Sequence, residues 1–283
     1  KESEKEEAIQ GADLIVCGVS SFGVDWFADK ILPILDESVP VISVTKGMLD
    51  YEDGTMQTYP EYWMSKLPEG SEQEIYAIGG PCTARDLADH DPSFVGYCGP
   101  KMETLHWIQS LFATDYYVIS LTLDVVGLEC AVALKNGYAL GTALAIGMAE
   151  KAGDDGINHN NSEAALFQES VKEMLDLLKI VGGGVDNIMY AAGDLNVTVA
   201  AGRSRTVGLL LGKGLSIDEV MEQLKGQTLE AVVIATRTAR AVKALAKAGK
   251  VKESDFPLLM HVNALLNEGA TLNIPWTDFQ KEM

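Results

Sequence analysis

The sequence holds no CxxC pair, no HExxH and no histidines at metal-ligand spacing. Its four cysteines, Cys17, Cys82, Cys98 and Cys130, are widely spaced in apolar company, as buried free thiols would be. A reducing, cytosolic setting is expected. His90, His106, His159 and His261 show no clustering, so no metal is assigned. Long apolar runs are also missing: the longest uncharged stretch, 136–149, is too short to span a bilayer and is rich in Gly and Ala. The opening KESEKEEAIQG has no apolar h-region of the kind a secretory signal needs. Positive charge is scarce. With 22 Lys+Arg against 41 Asp+Glu the formal charge is -19, which repels nucleic-acid backbones and anionic membrane surfaces. An anionic substrate would need its own local cluster of cations.

What is present is enough hydrophobic sequence, 47% of 283 residues, for a sizeable core and two ordinary domains. Up to residue 122 short β-branched runs alternate with amphipathic stretches. The runs are Leu14 to Val19, Val39 to Val44, Ile75 to Ile78, Phe94 to Cys98 and Tyr117 to Leu121. That pattern predicts a largely parallel, helix-covered sheet over 1–122. From Asp124 on, Ala/Leu/Met-rich helical periodicity predicts an all-α second domain over 123–283. Its helices are separated by glycines 182–184 and by GKGLS, where Ser216 and Glu219 read as a capping box. One element of such a sheet is absent: no strand, GxGxxG turn and helix come in succession. The expectation is a Rossmann-type α/β domain that is N-terminally incomplete, its opening βαβ portion lying upstream.

Several residues carry possible chemistry, each with an ordinary alternative. Lys135 lies in DVVGLECAVALKNGYALGTALAIGM, with Ala131, Val132, Tyr138 and Ala139 as its helical neighbours and no local carboxylate. Such an ammonium either snorkels to solvent or enters a cavity where desolvation makes it a proton donor or acceptor. Lys46 comes just after a buried strand, where open α/β sheets bind ligands, or simply ends that strand at the surface. GGPCTARDLA, 79–88, reads as a turn opening a helix with free N–H groups. Gly202 to Thr206 sets two guanidiniums and two hydroxyls beside a glycine, suited to a phosphate or to an exposed basic turn. Asp194 either orients a catalytic lysine or caps a helix, and Thr198 would share its face. The basic stretch from Arg237 to Lys252 reads as a solvated helix face.

Taken in order and spacing, ADLIVCGVS, the TKG turn, GGP..AR.LA, DVVGLECAVALKN, GDL...T and LLGKGLS resemble the NAD(P)-dependent glycerol-3-phosphate dehydrogenase family, of the soluble bacterial and archaeal kind, through nearly the whole chain. The pair D..G.E...ALKN and GDL...T...GR is the specific part. The resemblance implies NAD or NADP as cofactor and interconversion of glycerol 3-phosphate and dihydroxyacetone phosphate. Lys135 would exchange the proton at the C2 oxygen, and Lys46 would polarise that oxygen. Asp194 and Asn136 would position lysine and substrate. Thr198, Arg203 and Ser204 would hold the phosphate, while Ser20, Ala84 and Arg203 would face the cofactor. Departures from the family pattern are Ser204 where Asn is usual, Ser20 and Ser21 where Pro-Ser is usual, and Cys82 where Asn is usual. Leu229, Glu230 and Ala231 stand where the family has VEG, but their spacing to Thr238 is longer, so Glu230 is not carried over. The family further implies a cytoplasmic homodimer serving glycerophospholipid metabolism.

Two alternatives stay open from sequence: a related dehydrogenase for another hydroxy acid or sugar phosphate, and a non-catalytic relative that keeps the helical domain for binding. The choice between NAD and NADP would rest on a residue after the second strand of the upstream portion.

Overall fold

The structure, a computed structural model, describes residues 4–153 and 160–280; His159 lies outside the described residues. Helix α1 (Lys5–Ile9) precedes strand β1 (Ile15–Cys17), and α2 (Val24–Lys30) leads to β2 (Val41–Ser43). A hairpin of β3 (Met48–Asp50) and β4 (Met56–Thr58) runs into α3 (Tyr59–Lys66). Then come β5 (Ile75–Gly79), α4 (Ala84–Ala88), β6 (Ser93–Cys98), α5 (Met102–Phe112) and β7 (Tyr117–Thr122). The remainder is helical: α6 (Val125–Lys151), α7 (Asn160–Val181), α8 (Ile188–Ala200), α9 (Arg203–Gly212), α10 (Ile217–Gln223), α11 (Glu230–Lys247) and α12 (Pro257–Asn267).

All five expected strands form one sheet in the order β1-β2-β5-β6-β7. β1, β2 and β5 are parallel, in the register Ile15↔Val41↔Ile75. The expectation of a largely parallel sheet holds with one exception: β6 runs antiparallel to β5, while β7 runs parallel to β6. The β5–β6 connection contains only the five-residue α4. A helix of that length advances roughly 7 Å, too little to return the chain to the start of β5, so the next strand pairs from the opposite direction. The hairpin β3–β4 was not expected either. Its Asp53-Gly54 turn is a hairpin signal, but its three-residue strands are too short to show alternation.

The helical part is built around α6, which has 27 residues and is buried on all sides from Gly127 to Ala145. Asp124 starts it. Its carboxylate accepts the Gly127 N–H at 2.8 Å and also the Gly184 N–H and the Asn187 amide, tying the helix start to the turn before α8. Small residues then let neighbours approach at backbone distance. A Cβ on Gly208 would stand 2.1 Å from the Leu140 carbonyl, and one on Gly147 would stand 2.1 Å from the Leu209 carbonyl. Helices α6 and α9 therefore touch through their main chains, which fixes the start of α9 relative to Lys135. Further out, Glu173 accepts the Leu258 and Leu259 N–H groups and the Tyr138 hydroxyl, joining α7, α12 and α6. Among the described residues, no helix is long and apolar enough to cross a membrane.

The basic stretch expected to be a solvated face is partly pinned. Arg237 donates to the Met48 carbonyl, and Arg240 makes a bidentate pair with Asp50. Because the α6–α9 contact has no room for a methyl group, Gly208→Ala should cost about 3 kcal/mol, read as a lowered urea midpoint. An unchanged midpoint would show that the two helices can separate freely.

Candidate functional site

A cavity of about 430 Å³ opens where the carboxyl ends of β1 and β2 meet α6, α8, α9 and α11. Each wall is set by local sequence. β2 is fully buried and hands the chain to Thr45, whose hydroxyl donates to the Val19 carbonyl at 2.6 Å and ties the ends of β1 and β2 together. Lys46 comes next and turns into the cleft.

Two side chains from two segments converge on the carboxylate of Asp194. Lys46 Nζ is 2.5 Å from Asp194 Oδ2, and Lys135 Nζ is 2.9 Å from Asp194 Oδ1. Lys46 also donates to the Gly80 carbonyl at 3.0 Å. Gly80 has φ +117°, which only glycine adopts easily, and its turn aims that carbonyl at the lysine. Lys135 donates to Thr198 Oγ1 at 2.9 Å, and that hydroxyl in turn donates to the Asp194 carbonyl at 2.7 Å. The snorkelling alternative for Lys135 is therefore ruled out: its side chain is 11% exposed and its ammonium is held inside the protein. Burial lowers its pKa, a trend the Asp194 charge opposes and the Lys46 charge reinforces. Nor does Asp194 cap a helix, since it sits in the middle of α8 with a side chain 5% exposed.

Asn136, Arg203 and Ser204 line the same cavity. Arg203 and Ser204 open α9 behind Gly202, whose φ of +110° again requires glycine, so the free N–H groups of that first turn lie at the cavity wall. With Lys46 and Lys135 they supply the local positive cluster that an acidic chain needs for an anion. Thr198 lines the cavity too, but its hydroxyl is engaged with Lys135 rather than left free. Ala84 and Ser20 are exposed and stand outside the cavity lining, where Gly18, Val19 and Ser21 are found instead. Among the described residues, no cluster of His, Cys, Asp and Glu could hold a metal ion.

Glu230, not carried over by the resemblance, lines the cavity and accepts the Ser21 hydroxyl at 3.1 Å. The misleading feature was its distance to Thr238. Thr238 is buried two turns further along α11, and the cavity meets only the first turn of that helix. Glu129 was missed as well. It is 1% exposed, and neither carboxylate oxygen has a hydrogen-bond partner. Burial raises its pKa to about 8, against a small opposing effect of the Lys46 charge.

Comparison with known proteins places this geometry. Residues 1–103 match the family model for the NAD-dependent glycerol-3-phosphate dehydrogenase N-terminus, and residues 124–275 match the model for the C-terminus. The chain belongs to the NAD-dependent glycerol-3-phosphate dehydrogenase family. It is 30% identical over 266 residues to the NADP(+)-dependent glycerol-3-phosphate dehydrogenase of Archaeoglobus fulgidus, covering 93% of this chain and 76% of that protein. It is 27% identical over 269 residues to a glycerol-3-phosphate dehydrogenase [NAD(P)+] of Fusobacterium nucleatum, covering 93% and 74%. The fold is shared with the glycerol-3-phosphate dehydrogenase structure from Saccharomyces cerevisiae, at TM-score 0.78 and 21% identity, covering 97% of this chain and 76% of that one.

The Glu129 carboxyl gives a stability signature. Its folded-state pKa lies above the ordinary 4.5, so folding is favoured most below about 4.5 and loses stability as pH rises towards about 8. Glu129→Gln keeps the shape without the ionisation. Its melting temperature should rise relative to wild type between those two pH values and run parallel above them. A difference constant across that range would show that Glu129 has a charge partner in the fold.

Proposed function

We propose that this chain interconverts sn-glycerol 3-phosphate and dihydroxyacetone phosphate with NAD(P)+ and NAD(P)H. The observation that carries the reading is the Asp194 carboxylate shared by Lys46 and Lys135, beside the open first turn of α9.

The residues present fit the nicotinamide end of a dinucleotide. Gly18, at the end of β1, leaves open space, since a Cβ there would meet only Val44 at 3.7 Å. Val19, Ser21, Glu230 and Arg203 line the same cavity with backbone and polar groups. Bound nicotinamide supplies the hydride acceptor or donor. Everything else falls to the protein. Lys135, with a depressed pKa, takes the proton from the C2 hydroxyl in oxidation and returns it in reduction. Lys46 donates to the same oxygen and steadies the alkoxide-like charge that develops as the carbonyl forms. Asp194 holds both ammonium groups at one point, and Thr198 steers Lys135. Arg203, Ser204 and the α9 N–H groups hold the phosphate, while Asn136 orients the carbon chain.

A cytoplasmic homodimer serving glycerophospholipid metabolism belongs to the same reading. It is supported by the family and by four cysteines that are all free thiols. Light scattering that returned a single 30.5 kDa chain would remove the dimer.

Oxidation of NADH, and separately of NADPH, by the protein with dihydroxyacetone phosphate tests the reaction. Lys135→Ala should lower kcat by at least about 100-fold. Turnover by wild type that survives in the variant would exclude Lys135 as the proton-exchanging group, and no turnover with either cofactor would exclude the reaction for this chain. The pH profile tests the carboxylate. Oxidation of glycerol 3-phosphate should rise with pH as Lys135 loses its proton. Asp194→Asn removes the charge that holds the proton on, so the rising limb should move to lower pH while the maximal rate falls on the order of 100-fold. A limb that stayed in place would mean that Asp194 acts on substrate alone.

A further inference from the structure

Lys46 stands where the chain leaves the sheet, between two anchored segments. Upstream, Thr45 is tied to Val19 at the end of β1. Downstream, the hairpin β3–β4 lies along α11 for several turns. Arg237 Nη1 donates to the buried Met48 carbonyl at 2.8 Å, and its Nε is 3.7 Å from Asp50. Arg240 pairs with Asp50 through two of its nitrogens, at 2.8 and 2.9 Å. At the hairpin tip, Gly54 is packed so closely that a Cβ would stand 2.9 Å from the Ala241 carbonyl. Between Lys46 and Met48, Gly47 has φ +150° and lies against Tyr59, whose ring would be 2.5 Å from a Cβ there; the Arg237 guanidinium stands beside the Tyr59 hydroxyl. The first turn of α11 meanwhile carries Glu230, on the far wall of the same cavity.

We propose that Arg237 is a positioning residue for Lys46, clamping the Lys46-Gly47-Met48 turn to α11 so that the Lys46 ammonium keeps its place on Asp194 and at the substrate oxygen. Arg237 touches no substrate. It acts through the Met48 carbonyl, two residues from the lysine, and through the Tyr59 ring under Gly47. Its partner in the hairpin pairing, Arg240, is more exposed, at 62% against 27% for their side chains, and grips only the Asp50 carboxylate. The two arginines therefore differ in a testable way: both hold the hairpin, and only one holds the turn bearing Lys46.

The kinetic part of this inference rests on the dehydrogenase reading, so the test includes a readout independent of it. Wild type, Arg237→Met, Arg237→Lys and Arg240→Met are treated briefly with acetic anhydride, and acetylation of Lys46 is measured by mass spectrometry against the exposed Lys179. Lys46 labelling should rise several-fold in Arg237→Met, rise by a smaller factor in Arg237→Lys and stay unchanged in Arg240→Met. With dihydroxyacetone phosphate, Arg237→Met should lose on the order of 10- to 100-fold in kcat with its KM little changed, because a misplaced Lys46 affects the transition state more than binding. Lys46 labelling that does not change in a folded Arg237→Met would overturn the proposal, as would a kcat loss no larger than that of Arg240→Met. If Arg237→Met does not fold, the same two readouts on Arg237→Lys decide, since a shorter reach to the Met48 carbonyl should still loosen Lys46. A wild type without turnover would defeat the dehydrogenase reading and leave the labelling result to stand or fall alone.

Discussion

The site depends on one carboxylate with two ammonium groups. Two lysines this close repel each other, and burial adds a desolvation cost for each; neither would stay in the cavity without a shared anion. Asp194 supplies it from the middle of a helix, with one oxygen for each lysine. The arrangement is asymmetric in a useful way. Lys46 is the more exposed partner and keeps a second bond to a backbone carbonyl, whereas Lys135 is deeper, and its burial outweighs the stabilising charge beside it. On the proposed reading Lys46 acts as the donor and Lys135 exchanges the proton, although the two share one counter-ion.

That division of labour requires elements from both halves of the chain to hold still relative to each other. Lys46 comes from the end of a sheet strand, Lys135 from the central helix and Asp194 from a neighbouring helix. The helical members are locked by main-chain contact: Gly208, Gly212 and Gly147 bring α9 onto α6 at distances no side chain allows. The same contact sets the distance between the first turn of α9, which offers N–H groups to an anion, and Lys135. Packing of small residues therefore joins the first turn of α9 to the helix that carries Lys135. On the proposed reading, a substrate whose phosphate occupies one end of the cavity is placed with its carbon chain at the other.

Much of this was legible in the sequence. The five sheet strands announced themselves as β-branched runs, and the abrupt loss of that pattern after Thr122 marked the helical part. Lys135 was visible as an ammonium in a helix of small apolar residues, Lys46 as a lysine just after a buried strand, and Asp194 as a partner for a lysine or a helix cap. What could not be read was which alternative each would take. Asp194 looked as much like a helix cap as a partner for lysine, because spacing along the chain does not reveal that α8 begins six residues earlier. The β5–β6 reversal and the β3–β4 hairpin were hidden because they depend on connection length and three-residue strands rather than on periodicity. Glu230 was hidden by the opposite fault: a local motif was visible, but its distance to a second motif was given weight although the second takes no part in the cavity.

Glu129 shows how the charge of such a cavity can be kept in balance. An ionised carboxylate within electrostatic reach of Lys46 would compete with Asp194 for that lysine and weaken the grip on which the site depends. A carboxyl with no hydrogen-bond partner and no water-exposed surface avoids this by remaining protonated near neutral pH, since an isolated buried charge costs more than giving up the anion. The cavity then presents Lys46, Lys135 and Arg203 against Asp194 and Glu230, an excess of cations once both lysines are protonated. In a chain of net charge -19, that local excess must be built by burial, because long-range repulsion works against any phosphate approaching from solvent.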